Sequence, residues 1–316
     1  MTEEFSLVTT GGPTGAEVKG VDLTKPVPED DQAALRQGWA DYQVLLFRNQ
    51  ILDDEHLSAA ANIFGGVRGT ESREMFLKGG YKAGGKHVPT RANFSFISNL
   101  DEEGNPTERN AGLGSTEVDW HTDQSYTRIP NAGTLLYSLK IPENGGGDTS
   151  FSNQYLAYET LPPDLKAACQ GKYQRHDISR NSVGQVKPSQ RLPTSLDEVE
   201  GPDHPLLRVH PVSGRTALYL GRRREAPANY ILGMAEDESE AFLGALWEHA
   251  TKDDLKWTHR WRVGDLLVWD NRCVLHHRSA LDPTKPRVMN RTMVKGEAII
   301  APWDESKNGK GAEKQA

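Results

Sequence analysis

The sequence predicts a mainly β domain, an antiparallel sandwich or barrel with α-helices on its outside. Short apolar runs recur between turn residues, as in GDLLVWDN at 264–271. These runs do not alternate regularly with helices, which disfavours a doubly wound parallel sheet. Because no internal repeat or linker divides the 316 residues, a single domain is predicted over 1–301, followed by a flexible polar tail at 302–316.

Two helices are predicted near the start of the chain. The segment 28–42 opens with Pro and acidic residues, which favour a helix N-terminus, and carries Leu35 and Trp39 at helical spacing. The apolar run VLLF at 44–47 is typical of a buried strand. A second helix is predicted over 52–64, because acidic residues begin it and two glycines follow it.

Two irregular segments, near 66–117 and 178–206, are rich in Gly, Pro and charged residues. Segments of this kind in a compact domain are more often lids or binding loops than spacers. We therefore expect them to cover a cleft. Further strands are predicted within 93–100, 134–141, 204–212, 216–220, 264–271 and 291–300, and a third helix over 236–251.

The composition argues against several classes of partner. A net charge of −7 with dispersed Lys and Arg disfavours nucleic acid. No apolar run approaches the length of a membrane span, and the N-terminus lacks the pattern of a signal peptide. The two cysteines, Cys169 and Cys273, form no CxxC motif, which fits a reducing compartment. A cytoplasmic protein that binds neither nucleic acid nor membrane is expected.

His121 and Asp123 lie two positions apart in the strand-like stretch WHTDQSY. Side chains at i and i+2 of a strand share a face, so the pair can reach one point. An imidazole and a carboxylate are two of the three ligands of the 2-His-1-carboxylate iron site, although an HxD triplet alone is more often a hydrogen-bonded polar pair. The missing ligand could be His276 or its neighbour His277, and strand parity does not choose between them.

Four motifs, in order along the chain, carry a family resemblance. They are WHTDQSY at 120–126, GGGDTSFSN at 145–153, HRWRVGDLLVWDNRCVLHH at 259–277 and RVMNR at 287–291. Together they resemble the taurine dioxygenase and 2,4-dichlorophenoxyacetate dioxygenase family, over about residues 6 to 300. The resemblance implies a double-stranded β-helix, or jelly-roll, core with flanking α-helices. It also implies an enzyme that uses Fe(II), 2-oxoglutarate and O2.

The resemblance assigns roles to particular residues. The family's iron ligands fall on His121, Asp123 and His276. Its clamp for 2-oxoglutarate falls on Thr149 and Arg287. A guanidinium can hold a carboxylate through two charge-assisted hydrogen bonds, and a hydroxyl can add a third.

Arg291 is the predicted catalytic-site residue for the prime substrate. It lies four positions after Arg287, so in a strand both side chains project to the same side. In the family the equivalent arginine binds the substrate's anionic group or lies near iron. Taurine itself is disfavoured, because no histidine follows Phe64 and Gly65 where taurine-type enzymes carry one. The unusual arginine run at 222–224 receives no site role.

The predicted function is hydroxylation of a C–H bond in a small anionic organic acid, with release of succinate and CO2. Cleavage of a C–O, C–N or C–S bond can follow if the hydroxylated carbon bears a leaving group. One alternative uses the same iron core for desaturation or ring formation in a biosynthetic pathway. A non-catalytic metal-binding jelly roll and a Zn(II) hydrolase are disfavoured, since neither needs the Thr149 and Arg287 clamp. The resemblance also implies a homo-oligomer.

Overall fold

The computed structural model describes residues 4–68, 77, 82, 93–101, 103–108, 114–143, 146–181, 184–187, 190–224 and 226–304. The strands are β1 (Ser6–Thr9), β2 (Ala16–Lys19), β3 (Val44–Phe47), β4 (Val67–Arg68), β5 (Phe94–Ser98), β6 (Val118–His121), β7 (Gly133–Lys140), β8 (Thr149–Asn153), β9 (Tyr173–Arg175), β10 (Asp203–Pro205), β11 (Leu207–Val209), β12 (Thr216–Leu218), β13 (Tyr230–Ile231), β14 (Lys256–His259), β15 (Leu266–Asp270), β16 (Val274–Arg278) and β17 (Val288–Val294). The α-helices are α1 (Glu29–Tyr42), α2 (Asp54–Ile63), α3 (Gln154–Glu159), α4 (Pro163–Ala168) and α5 (Glu236–Ala250).

Two main sheets build the core. The larger has eight strands in the order β1-β2-β3-β15-β7-β17-β4, with β5 paired to β17. The smaller has four strands in the order β14-β8-β16-β6. Every pairing in these sheets is antiparallel except that of β2 with β3. Smaller sheets join β10-β9-β13 and β11-β12. The prediction of a mainly β fold with flanking helices is confirmed.

Strand β3 shows how the larger sheet is buried on both faces. Val44 and Leu46 belong to an apolar cluster that also contains Phe151 of the smaller sheet, whereas Leu45 and Phe47 belong to another that includes residues of α1 and α2. This alternation follows from the two-residue period of a strand. The cluster shared by the two sheets consists of Val44, Leu46, Leu136, Phe151, Trp261, Leu267, Trp269, Val274 and Met289.

The helices cover the sheets from outside. Helices α1 and α2 supply Leu35, Trp39 and Leu57 to the cluster on the outer face of the larger sheet. The Asp53 side chain caps α2 by accepting hydrogen bonds from the backbone of Glu55 and His56. Helix α5 contributes to a separate apolar cluster, together with residues of α3, β11 and β12. The three helices predicted from periodicity therefore form, with ends within two residues of the predicted ones.

Two predicted strands differ from the observed ones. The run 204–212 is divided between β10 and β11, which belong to different sheets. The run 291–300 leaves the sheet at Val294. Beyond it, the backbone at Gly296 lies so close to Pro130 that an added Cβ would come 1.7 Å from the Pro130 carbonyl oxygen. This contact with a neighbouring segment has no signature in local hydrophobicity.

The predicted lids lie partly outside the described residues. In the segment near 66–117, positions 69–76, 78–81, 83–92, 102 and 109–113 are outside them, and in 178–206 so are 182–183 and 188–189. Most of the predicted tail, 305–316, is outside as well. Among the residues that are described, no helix is long and apolar enough to cross a membrane.

Replacing Gly133 with alanine should destabilise the fold. The new methyl group would lie 2.2 Å from Trp39 Cζ2 and 2.8 Å from the Trp269 carbonyl oxygen. Overpacking of this kind costs about 1–3 kcal/mol, which urea denaturation would measure as a lower free energy of unfolding. Gly244→Ala is the matched control, because no atom lies within 4 Å of its added Cβ. An equal loss in both variants would contradict the proposed clash.

Candidate metal centre and co-substrate pocket

A pocket opens between the two main sheets, with an empty volume of about 480 Å³. Among the described residues, its walls combine apolar side chains, a pair of histidines, one carboxylate and three guanidinium groups. The lining residues are Ile97, Val118, His121, Asp123, Leu136, Thr149, Trp269, His276, Arg278, Arg287 and Arg291.

The structure brings His121, Asp123 and His276 together at this pocket. Strand β6 ends at His121, which lies opposite His276 in the register with β16. Their imidazole rings are 4.1 Å apart between centroids. Asp123 Oδ1 lies 3.6 Å from His121 Nε2 and 3.8 Å from His276 Nε2. One ligand atom from each residue lies within 4.8 Å of the others, so the three side chains can converge on one ion.

Hydrogen bonds behind the ligand atoms set their direction. His121 Nδ1 lies 2.7 Å from the Asp119 carbonyl oxygen and donates to it, which leaves a lone pair on Nε2. Thr134 Oγ1 donates to Asp123 Oδ2 over 2.8 Å, which leaves Oδ1 facing the histidines. Asn271 Nδ2 in turn donates to Thr134 Oγ1 over 3.0 Å. Partners of this kind orient the ligands of protein metal sites.

Burial and charge keep the three groups in the form that binds a metal. Burial, assisted by the Arg222 guanidinium, lowers the pKa of His121 to about 4. Burial and the neighbouring His121 likewise hold the pKa of His276 well below its usual range. Burial alone would raise the pKa of Asp123, but His276 and His121 hold it below the usual carboxyl range. Two neutral imidazoles and one carboxylate therefore face the pocket at neutral pH.

His277, the rival to His276, belongs to a different face of β16. Its Nε2 is hydrogen-bonded to Glu117, and its ring stacks on Trp120 with centroids 5.2 Å apart. Neighbours in a strand point to opposite faces, and the pairing with β6 determines which face is turned to the pocket. The structure thus places His276, and not His277, beside His121 and Asp123.

Thr149 and Arg287 lie in the same pocket, both almost completely buried. Thr149 Oγ1 accepts a hydrogen bond from Trp261 Nε1 over 3.0 Å, so its own proton remains available to an acceptor. Arg287 Nη2 donates to the Gly147 carbonyl oxygen over 3.1 Å, and Nε is buried with no hydrogen-bond partner among the described residues. Gly147 has φ +68°, and an added Cβ would lie 2.8 Å from Arg287 Nε. Glycine at this position therefore lets the Arg287 side chain pack directly against the main chain.

Arg291 also lines the pocket, on the side predicted by its even offset from Arg287. Its Nε donates to Ser95 Oγ over 3.0 Å, on the neighbouring strand β5. Its charge contributes to the lowered pKa of both Asp123 and His276, so Arg291 lies near the candidate ligands.

Two further arginines lie near the site. The sequence had given neither of them a role there. Arg278 lines the pocket two residues after His276. Its even offset from His276 was a usable signal, but only once the face of β16 was known. Arg222 acts on the site through its charge, which lowers the pKa of both His121 and His276. No local pattern indicates that the 222–224 run lies close to β6 and β16.

The comparisons with known proteins agree with this geometry. The model of the family described as "Taurine catabolism dioxygenase TauD, TfdA family" matches residues 7–293. The chain belongs to this family. It is therefore a dioxygenase that depends on Fe(II), 2-oxoglutarate and O2, and the predicted family, enzyme class and cofactors are confirmed.

Individual relatives of this dioxygenase match along nearly their whole length. The alpha-ketoglutarate-dependent 2,4-dichlorophenoxyacetate dioxygenase of Cupriavidus pinatubonensis is 30% identical, with 90% of this chain and 96% of the relative covered. Pentalenolactone F synthase of Streptomyces arenae is 29% identical, with coverages of 93% and 96%. The crystal structure of AAD-2 in complex with Mn(II) and N-oxalylglycine superposes with a TM-score of 0.74 at 27% identity, covering 95% of this chain and 99% of that one.

A second group of potential ligands, His210, Asp270 and Cys273, lies buried in this dioxygenase. His210 Nδ1 accepts from the backbone of Val212 and Ser213, and its Nε2 donates to Asp270 Oδ2 over 3.0 Å. Both imidazole nitrogens are thus engaged. Asp270 also accepts two hydrogen bonds from Arg272, at 2.8 and 2.6 Å. The group is an ion-pair network beneath the turn that connects β15 with β16.

Asp270→Asn should destabilise the protein by about 3–5 kcal/mol, because it leaves the buried Arg272 with only the more distant Glu297 carboxylate, at 3.6 Å, as a counter-ion. Although burial opposes it, Arg272 and His210 hold the pKa of Asp270 below its usual range. A lowered folded-state pKa gives stability that is present above about pH 4 and is lost as the pH falls further. The difference in the free energy of unfolding between wild type and this variant, measured with urea, should therefore decrease below about pH 4.

The control is Asp253→Asn, whose carboxylate is 98% exposed and should contribute little at any pH. A gap between wild type and Asp270→Asn that stays constant down to about pH 2 would contradict the role given to the Asp270 charge.

Proposed function

We propose that this dioxygenase hydroxylates a C–H bond of a small anionic organic acid, with iron bound by His121, Asp123 and His276. The observation that carries the proposal is the convergence of these donors with Thr149, Arg287 and Arg291 on one pocket. The cavity thus combines a set of metal ligands for iron, a carboxylate clamp for the co-substrate and a further cation for an anionic substrate.

The donor set fits Fe(II). Neutral imidazole and carboxylate are ligands of the 2-His-1-carboxylate type, which leaves open positions on the metal. The unpartnered carboxylate oxygen and the two Nε2 atoms face one gap. Fe(II) held there would couple O2 to the oxidative decarboxylation of 2-oxoglutarate, which yields succinate and CO2, and would supply the oxidant for the substrate's C–H bond. The protein's own part is to hold the ligands, exclude water and aim the substrate.

We assign the distal carboxylate of 2-oxoglutarate to Thr149 and Arg287. The Thr149 hydroxyl accepts from Trp261 and keeps its own proton to donate, and Arg287 Nε has no hydrogen-bond partner among the described residues. Burial disfavours the charge of Arg287, the nearby Asp148 carboxylate offsets this only in part, and an incoming carboxylate would offset it further. Binding energy at this end fixes the opposite, 2-oxo acid end in place.

The prime substrate is proposed to place its anionic group on Arg291 and its oxidisable carbon against the apolar wall. Ile97, Leu136 and Trp269 line that part of the pocket and exclude water from the reacting bond. The relative that acts on 2,4-dichlorophenoxyacetate supports an aryloxyalkanoate or a similar organic acid as the substrate class. Aryloxyalkanoates and similar organic acids are therefore the compounds to screen as substrates.

Desaturation or ring formation in a biosynthetic pathway is the second candidate. The relative named pentalenolactone F synthase favours it. The iron core would be identical in the two cases, so the substrate's position relative to the metal determines the outcome. Product analysis by mass spectrometry separates them, because hydroxylation adds one oxygen atom and desaturation removes two hydrogens.

We also propose the organisation and setting expected from the sequence. One domain is proposed to span 1–301, with lids near 66–117 and 178–206. Trp303, in the predicted tail 302–316, packs against Tyr173 with ring centroids 5.9 Å apart, so the domain extends at least to this residue. A cytoplasmic location without a nucleic-acid partner is supported by two buried free cysteines and a net charge of −7. The proposal of a homo-oligomer rests on the family resemblance.

Anaerobic addition of Fe(II) and 2-oxoglutarate to the metal-free protein should produce a weak visible charge-transfer band. Asp123→Ala and His276→Ala should lose this band, because each removes one of three ligands. His277→Ala is the matched control and should keep it, since His277 contacts Glu117 and Trp120 instead. A wild-type protein without the band would overturn the cofactor site, and loss of the band only in His277→Ala would exchange the two histidines.

Arg291→Ala should weaken apparent substrate affinity by roughly 10- to 100-fold, the effect expected for one charge-assisted hydrogen bond. The assay is succinate release stimulated by 2,4-dichlorophenoxyacetate and by a panel of small sulfonates and organic acids. The exposed Arg260 provides the control variant Arg260→Ala. An unchanged KM for every stimulating substrate would remove Arg291 from substrate binding.

A further inference from the structure

We propose that Trp261 is a positioning residue for 2-oxoglutarate, which acts through both groups of the carboxylate clamp. Its indole N–H directs the Thr149 hydroxyl, and its ring supports the Arg287 guanidinium. The inference rests on the proposed placement of the distal carboxylate at Thr149 and Arg287.

Strand pairing brings Trp261 to the clamp. His259, the last residue of β14, is directly paired with Thr149, the first residue of β8. Trp261 follows two positions later, and its Nε1 donates to Thr149 Oγ1 over 3.0 Å. The tryptophan is only 7% exposed and belongs to the apolar cluster between the two main sheets. Water is therefore largely excluded from this hydrogen bond, which strengthens it.

The chemistry of the indole group determines which way the Thr149 proton points. A hydroxyl can donate or accept a hydrogen bond, but an indole N–H can only donate. Thr149 Oγ1 is therefore the acceptor from Trp261, and its own proton is left for another acceptor. Accepting a hydrogen bond also polarises the hydroxyl and makes it a better donor. Trp261 thus commits Thr149 to donation, which is what an ionised carboxylate requires, since it can only accept.

The indole ring also contacts the second group of the clamp. The Cζ atom of Arg287 lies 5.9 Å from the centroid of the Trp261 ring, within the range of a cation–π contact. Arg287 is only 2% exposed, so water screens this contact little. One side chain therefore touches both Thr149 and Arg287 and links their positions.

A buried network holds Trp261 in place. Its ring meets that of His259 edge to face, with centroids 4.8 Å apart and an interplanar angle of 87°. His259 Nε2 donates to Asp265 Oδ2 over 3.0 Å, and Arg48 Nη1 donates to the same oxygen over 2.8 Å. The indole is thus held in position before the co-substrate binds, which lowers the entropy cost of binding.

The test removes the N–H and keeps an aromatic ring. Trp261→Phe should weaken 2-oxoglutarate binding roughly 3- to 10-fold, the effect expected for one neutral hydrogen bond. The measurement is anaerobic titration of the Fe(II) protein, followed by the charge-transfer band. The analogue 2-oxopentanoate, which has a methyl group in place of the distal carboxylate, should bind within about twofold of wild type. Site-specific replacement of Trp261 by benzothienylalanine, which has sulfur in place of the N–H, should have the same effects.

A double-mutant cycle tests the route through Thr149. Thr149→Val removes the hydroxyl and should itself weaken 2-oxoglutarate. In that background Trp261→Phe should add less than about a twofold loss, because no hydroxyl remains to be directed. In the Thr149→Ser background it should keep its full effect, since the hydroxyl is retained. Trp261→Leu, which also removes the ring beside Arg287, should weaken 2-oxoglutarate more than Trp261→Phe does.

Trp247→Phe is the matched control. Trp247 is also 7% exposed, but its N–H has no hydrogen-bond partner among the described residues, so both affinities should stay unchanged. An unchanged 2-oxoglutarate affinity in Trp261→Phe would overturn the inference. An equal loss for the two 2-oxo acids, or a full effect in the Thr149→Val background, would overturn it as well. Equal losses in Trp261→Leu and Trp261→Phe would remove the role of the ring. If a lowered melting temperature reveals a folding defect in Trp261→Phe, the benzothienylalanine variant decides.

Arg287→Met separates this inference from the proposed function. If it loses the preference for 2-oxoglutarate over 2-oxopentanoate while Trp261→Phe keeps it in full, the co-substrate site stands and only the role of Trp261 is wrong. If Arg287→Met also keeps the preference, the proposed location of the distal carboxylate fails. If 2-oxoglutarate does not bind to the wild-type protein, the co-substrate assignment itself fails.

Discussion

The antiparallel pairing of β16 with both β6 and β8 is the constraint on which the site depends. One neighbour places His121 opposite His276, and the other places Thr149 opposite Arg278. A register shift between the β6 and β16 pairs marks a bulge, which re-aims side chains locally. Moving β16 by one residue would turn His277 to the pocket and His276 away from it. The candidate metal ligands and the residues around Thr149 are therefore positioned by the same ladder of hydrogen bonds.

The packing that aligns these side chains also removes water from them. Desolvation keeps both candidate histidines neutral, and it lowers the pKa of the Arg278 and Arg287 guanidinium groups. Elsewhere the fold neutralises buried charge internally, as Asp270 does for Arg272. Internal neutralisation of this kind is typical of a structural ion-pair network.

Local sequence was most informative where one segment determines its own structure. Acidic starts and 3.6-residue periodicity located α1, α2 and α5, and apolar runs located β3, β7 and β15. Local sequence did not predict the structure correctly where contacts with a distant segment determine it. The division of 204–212 between two sheets and the end of β17 at Val294 both follow from contacts made elsewhere in the fold. Burial and pairing partners are properties of the assembled chain, so no window of residues contains them.

The sequence by itself determined the chemical inventory of the site. Motif order and spacing, through the family resemblance, named six residues: His121, Asp123, His276, Thr149, Arg287 and Arg291. Strand parity alone left His277 open as a rival to His276. Tertiary structure decided which face of β16 meets the pocket, and so placed His276 there rather than its neighbour. It also brought Arg278 and Arg222 to the site. The physical reason is that the alternation of side chains along a strand shows only which of them share a face. Pairing with a neighbouring strand determines which of the two faces lies inside.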